Sequence, residues 1–142
     1  MSWRIEVAEK EGFYDAIGRS VKHDIRDLGI NCRIKEVKTV QVYLLDGRID
    51  EYSVKKICEN LLIDPITQKY SYRGNVLDER PFKAVEVAYN AGVMDPVEDS
   101  ARKAIGDLGI SGVDTVKTAK KYLIKGDLSY SQIHSIAEKI LY

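Results

Sequence analysis

This chain writes the same pattern twice, and that limits its fold more than anything else in it. Glu6-Val7-Ala8 returns as Glu86-Val87-Ala88, Gly12 as Gly92, Asp15 as Asp95, Ser20 as Ser100, Ile25 as Ile105, and Asp27-Leu28-Gly29-Ile30 as Asp107-Leu108-Gly109-Ile110. After a one-residue deletion the match resumes. Val37-Lys38-Thr39 becomes Val116-Lys117-Thr118, Tyr43-Leu44 becomes Tyr122-Leu123, Gly47 becomes Gly126, and Ile57, Glu59 and Leu62 become Ile136, Glu138 and Leu141. About 20 of roughly 54 aligned positions are identical, too many for unrelated segments, so the sequence reads as a duplicated and fused gene.

Each copy reads as strand, helix, strand, helix. Trp3, Ile5 and Val7 alternate with polar residues, as a half-buried strand requires, and Val85 and Val87 repeat the pattern. Asp15 is placed to cap a helix whose stripe is Ile17, Val21, Ile25 and Leu28, with Gly29 as a left-handed terminator. Asp95, Val97, Ala101, Ile105, Leu108 and Gly109 reproduce that device. Second strands are expected over 37–45 and 116–124, rich in Val, Thr and Tyr, with Gly47 and Gly126 marking turns after them. The second helices carry Val54, Ile57, Cys58, Leu61 and Leu62, matched by Ile133, Ile136, Ala137, Ile140 and Leu141. Ser129 and Gln132 stand at capping-box spacing.

The copies then diverge. The first continues through Asp64-Pro65 into an expected third strand over 66–72, and the second stops without one. The expected division is a first unit over 1–72, a linker over 73–81 and a second unit over 82–142. Either the missing strand is supplied by the other unit or another chain, or the sequence is the front of something longer.

Composition narrows the function. Lys and Arg total 22 against 22 Asp and Glu, and a formal net charge of zero disfavours bulk electrostatic binding of nucleic acid. No apolar run approaches the roughly 18 residues of a membrane span, and the start has no signal-peptide pattern. Cys32 and Cys58 are isolated thiols without metal-ligand spacing. The expected location is cytoplasmic.

A search for an active site finds no phosphate-cradling glycine motif, nucleophile with base, or metal-ligand set. His23 and His134 have no equivalents in the opposite copy and read as solvated helix residues. Asp15 and Asp95 could be catalytic carboxylates, one per unit, but an acid just before an apolar helical stripe reads first as a cap. Gly12 and Gly92 could allow close approach of a ligand, although glycine between strand and helix ordinarily serves the turn. Lys117, Lys120, Lys121 and Lys125, interleaved with Tyr122, could face phosphates, or could be a solvated strand face.

Val40, Val42 and Leu44 lie on the opposite side of their strand from Tyr43 and Leu45, so that strand is expected to be covered on both faces. Helices would cover one face and a second sheet the other. Nine tyrosines, including the matched Tyr43 and Tyr122 and the pair Tyr70 and Tyr72, suit interfaces. From the residues alone, this is an α+β assembly module of two tandem β-α-β-α(-β) units.

Three stretches resemble a known family, PurS, the small subunit of phosphoribosylformylglycinamidine synthase. Gly92-Val93-Met94-Asp95-Pro96 with Ala104-Ile105 and Leu108-Gly109 is similar to its first strand-to-helix segment. Val116-Lys117 running to Tyr122-Leu123 resembles its second strand. Leu61-Leu62-Ile63-Asp64-Pro65-Ile66, followed by Tyr70, resembles its second helix end and third strand. The family has a glycine after its Asp-Pro pair; here Gly18 follows Asp15-Ala16, while Glu98 follows Asp95-Pro96.

The resemblance implies a pseudo-dimer within one chain, its antiparallel sheets carrying helices on one face and packing sheet to sheet. It also fits the PurS-like leading segment of fused synthetases. It implies a component of an ATP-dependent glutamine amidotransferase ligase in purine biosynthesis, with no active site of its own. Its partners would be the glutaminase and synthetase subunits, which would hold glutamine, ATP and Mg²⁺; no catalytic, cofactor or metal residue is assigned to this chain. Further homo-oligomerisation stays open. The rival reading is a small-molecule-binding regulatory module of ferredoxin-like units, with its ligand near Gly12 and Gly92.

Overall fold

The computed structural model describes residues 2–29, 33–88, 95 and 97–141. Two long strands organise it. β2, Arg33–Gly47, and β5, Val113–Asp127, each run for 15 residues and pair antiparallel. β1, Ser2–Glu9, adds to the outer edge of β2, and β3, Gln68–Ser71, adds to β1. β4, Lys83–Ala88, adds to the outer edge of β5, giving one antiparallel sheet in the order β3-β1-β2-β5-β4.

The strands are longer than the 37–45 and 116–124 expected, and the third strand shorter than 66–72. Their mutual pairing explains the extension, because each satisfies the other's backbone donors and acceptors beyond the most apolar stretch. Val37 faces Ile124 and Leu45 faces Val116, with Gln41 opposite Lys120 midway between those pairs. Gln41 and Lys120 are also equivalent positions of the sequence repeat.

Helix α1, Ala16–Asp27, follows β1, and α3, Glu98–Asp107, follows β4. Helix α2, Glu51–Ile57, and helix α4, Tyr130–Ile136, each run on into a five-residue π-helical turn, Cys58–Leu62 and Ala137–Leu141. Ser129 and Gln132 form the expected capping box on α4. Gly29 and Gly109 have φ of 71° and 82°, the left-handed stop that ends α1 and α3.

The cores mix the two halves. Val21 and Ile25 of α1 pack with Val37, Val85, Tyr122, Ile124 and with Ile136, the last residue of α4, and Ala137 after it. Val54, Ile57 and Cys58 pack with Ile5, Val7, Leu45, Val116 and with Ile105 of α3. Lys56 Nζ also donates to the Leu108 carbonyl at 3.1 Å, placing a cation at the C-terminus of α3. The helical stripe of α1 is narrower than expected: Ile17 is 47% exposed, because it sits beyond the end of this packing in the first turn.

The expectation of two sheets packed face to face is overturned. The halves join edge to edge in one sheet, which removes two open strand edges. The face opposite the helices is covered instead by the connector. Val40, Val42, Ala119 and Leu123 lie under Val76, Leu77 and Phe82, and Val40 and Val42 are 0% exposed. A buried ion cluster holds the connector down. Glu6 accepts from the Val76 N–H at 3.1 Å and from Lys121 Nζ at 2.7 Å, while Lys121 also pairs with Glu79, and Arg4 with Glu6 and Glu86.

Gly47 and Gly126 are not turn residues. They lie in β2 and β5, where an added Cβ would come 2.0 Å from the Gly112 carbonyl oxygen and 2.0 Å from the Arg33 carbonyl oxygen. Their requirement is close backbone approach.

Candidate functional site

On the helix-bearing face, the centre of the sheet is left open between the two helix groups. The alternation of β2 and β5 puts Thr39, Gln41 and Tyr43 beside Tyr122, Lys120 and Thr118 there. Val7 pairs with Gln41 and Val87 with Lys120, completing the floor. A cleft of about 520 Å³ is lined by Gln41, Tyr43, Val87, Val97, Thr118, Lys120 and Tyr122. A second, of about 350 Å³, is lined by Val7, Tyr14, Ile17, Thr39, Gln41 and Tyr43 among others. Gln41 and Tyr43 belong to both, so the clefts form one trough. Ile17 and Val97, 47% and 41% exposed, stand on its two sides at the first turn of α1 and just before α3.

The carboxylates beside the trough are structural. Asp15 is the N-cap of α1: it accepts from the Gly18 N–H at 2.8 Å, and from the Thr39 N–H and hydroxyl, both at 2.8 Å. Asp95 accepts from the Val97 N–H at 2.9 Å, the Thr118 N–H at 2.6 Å and the Thr118 hydroxyl at 2.8 Å. It stands two residues before the capping position of α3, which Val97 occupies, rather than being the cap itself. Burial pushes the Asp95 carboxyl upward, but the hydrogen bonds from Val97 and Thr118 outweigh it and hold the group below the usual aspartate range. Each acid ties a helix start to a central strand, and the catalytic reading of the pair is not supported.

The tyrosines divide into two uses. Tyr70 of β3 donates to Glu59 of the π-helical turn after α2 at 2.9 Å, and Tyr72, just past β3, donates to Glu51 at the start of α2 at 2.7 Å, contacts inside the chain rather than at an interface. Tyr43 and Tyr122 differ: among the described residues neither hydroxyl has a hydrogen-bond partner, although no buried side-chain oxygen or nitrogen is left unpaired, so both are reached by solvent. Burial raises both phenols above their ordinary range, keeping them protonated donors at neutral pH.

The lysines of β5 do not form one basic face. Lys121 is buried against Glu6 and Glu79, Lys117 pairs with Glu98 at 2.6 Å, and Lys120 points to the opposite side from both, into the trough. Lys120 has no ion pair among the described residues. Sequence reasoning identified Lys120 only as part of a run; what it missed was that strand alternation isolates it.

His23 and His134 are exposed and pair with Asp27 and Glu138 one turn on. Gly12 has φ of 84° with no atom within 4 Å of an added Cβ, so its turn, not a close approach, requires glycine. Gly92 and Cys32 lie outside the described residues. Cys58 is buried, and desolvation pushes its thiol up to about 12. Among the described residues no three His, Cys, Asp or Glu side chains are grouped to hold a metal, and no helix is long and apolar enough to cross a membrane.

The profile of one family, PurS, phosphoribosylformylglycinamidine (FGAM) synthase, matches residues 2–75, a span that takes in β1 through β3. This chain belongs to the PurS family. Over 67 residues it is 39% identical to the phosphoribosylformylglycinamidine synthase subunit PurS of Archaeoglobus fulgidus, covering 44% of this chain and 82% of that one. It is also similar to the solved structure of B. subtilis PurS in a C2 crystal form, with 24% identity and a TM-score of 0.45, covering 51% of this chain and 94% of that one.

Proposed function

We propose that this chain serves as the non-catalytic PurS component of FGAM synthase in purine biosynthesis, bridging a glutaminase and an ATP-dependent synthetase in the cytoplasm. Family membership carries the reading: the profile match spans residues 2–75, and the A. fulgidus relative is itself named as a subunit of the synthase. In this role glutamine is hydrolysed on one partner, ammonia is used on the other, and ATP, Mg²⁺ and glutamine are bound there. The chain contributes surfaces and spacing.

We further read it as two PurS units, 1–72 and 82–142, joined by the connector 73–81 into a pseudo-dimer. Three observations support that. Equivalent positions, Gln41 and Lys120, face each other at the middle of β2–β5, as a two-fold-related pair of identical strands would. Asp15 with Thr39 and Asp95 with Thr118 repeat one hydrogen-bonded device. Both cores draw helices from both halves.

The test is size-exclusion chromatography with light scattering on the chain mixed with the glutaminase and synthetase components of its own organism, with and without glutamine and ADP·Mg²⁺. A ternary complex is expected. If instead the chain ignores both components and a single amino acid or nucleotide raises its melting temperature, the ligand-sensing reading replaces this one.

A further inference from the structure

We propose that the outer edge of β4 is the docking site for an extended segment of a partner protein, which adds to the sheet as an antiparallel strand and sets a tyrosine opposite Val87. This rests on the bridging role proposed above and names the surface by which one partner is held.

The repeat supplies the template. β1 and β4 are equivalent strands, each paired on its inner side with a central strand. β1 is closed on its outer side by β3, in a register that puts Tyr70 opposite Val7. Among the described residues no strand closes β4, so every second residue along Lys83–Ala88 turns its N–H and carbonyl outward with no strand to meet them. The side chains record the same difference. Val7 and Val87 both face the helix-bearing side, yet Val7, beside Tyr70, is 3% exposed and Val87 is only half-buried. Glu6 and Ala8 owe their burial partly to the connector, so Val87 is the cleaner measure of what the missing strand would cover.

The helix above the edge fixes what the added strand must carry. Tyr70 reaches Glu59 after α2, and Tyr72 reaches Glu51 at its start, so α2 and its π-helical turn roof β3. In the second half Glu138 stands at the place of Glu59 and Tyr130 at the place of Glu51. Glu138 is 60% exposed and paired with His134 one turn back, and Tyr130 is 87% exposed. A tyrosine opposite Val87 would reach Glu138 as Tyr70 reaches Glu59, and the next side chain on that face would cover the Tyr130 ring. Main-chain hydrogen bonds then give affinity and these two positions give specificity. A second copy of this chain fits poorly. Antiparallel pairing of two β4 edges keeps the helices of both copies on one face, and both α4 helices would have to roof the same two strands. Antiparallel pairing of β4 with another copy's β3 turns that copy over, so its Tyr70 would point away from α4. An extended segment with no helix of its own on that face meets neither obstacle.

The test is hydrogen exchange read by mass spectrometry on the full chain, alone and with the glutaminase or the synthetase component. The outward amides of 83–88 should exchange fast in the free chain and slow by at least about tenfold when one component binds. Amides alternate along the strand, so one of Val87→Pro and Ala88→Pro removes an outward donor and the other removes a bond to β5. The variant that melts closer to wild type is the outward one, and by isothermal titration calorimetry it should bind the same component at least about tenfold more weakly. Glu138→Lys, an exposed change that leaves the backbone alone, should weaken that component several-fold. Asp107→Lys, an equal charge change at the exposed end of α3, should leave both components unchanged. Wild-type binding with no slowing at 83–88, or binding within about twofold of normal by both the outward proline variant and Glu138→Lys, would overturn the docking edge while leaving the bridging role intact. Wild-type chain that binds neither component overturns the bridging role itself, and this proposal with it. Slow exchange of all the 83–88 amides in the free chain would also overturn the proposal: if lost on dilution it assigns the edge to a second copy, and if kept, to residues of the same chain.

Discussion

Replacing Lys121 with methionine tests whether the connector is held on the sheet by charge. Lys121 is buried, and its ammonium is the cation shared by Glu6, 1% exposed, and the partly buried Glu79. Removing it leaves the Glu79 carboxylate without a cation beside Glu6, whose one remaining cation is the partly exposed Arg4, and breaking a buried pair from one side costs about 3–5 kcal/mol. For a domain of this size each kcal/mol lowers the melting temperature by roughly 2–5 °C, so Lys121→Met should melt about 6–25 °C below wild type. The triple variant Lys121→Met, Glu6→Gln, Glu79→Gln removes both charges with the cation. It keeps an acceptor for the Val76 N–H and should recover most of the loss. Urea unfolding followed by circular dichroism gives both numbers. A single variant within 1 kcal/mol of wild type, or a triple variant no more stable than the single one, would refute the idea that the cluster pins the connector.

Other expected outcomes follow from the same structure. A fragment of residues 1–75, deprived of Ile105 and Ile136, should be a folded homodimer through self-paired β2 or else unfolded, and a stable monomer by sedimentation equilibrium would contradict the mixed cores. Because the Asp95 pKa is depressed in the folded state, its contribution is present above the unfolded value near 4 and is lost as pH falls through the lower folded value; Asp95→Asn should cost about 1–3 kcal/mol at pH 7 and give a flatter stability profile as pH falls below about 4. Gly47→Ala forces a Cβ into the Gly112 carbonyl, and chemical denaturation should show a loss of about 2 kcal/mol or more. In a Cys32→Ser background, Cys58 should resist a thiol reagent until the protein is unfolded, and rapid native labelling would contradict its burial.

Much of this fold was legible because local signals and the repeat agreed. Asp15, Gly29, Ser129 and Gln132 do what their residue types and spacings imply, and Val21, Ile25, Val54 and Ile57 are core. What was not legible is long-range. Val40 and Val42 announced a covered face, but a strap of Val76, Leu77 and Phe82 covers an apolar face as well as a sheet does, and nothing local distinguishes them. Gly47 and Gly126 looked like turns because glycine's absence of a Cβ serves turns and close strand contacts alike. The trough was hidden for a similar reason. Lys117, Lys120, Lys121 and Lys125 read as one charge run, and only the strand register with Glu6, Glu79 and Glu98 shows that Lys117 and Lys121 are paired while Lys120 turns to the helix-bearing face.

The central claim is that FGAM synthesis requires this chain although the chemistry happens elsewhere. The most direct measurement is glutamine-dependent FGAM formation by the glutaminase and synthetase components, assayed without the chain and with it titrated back. Activity should be near background without it, rise to saturation at a fixed stoichiometry, and be absent from the chain alone. Full glutamine-dependent turnover in its absence would contradict the account.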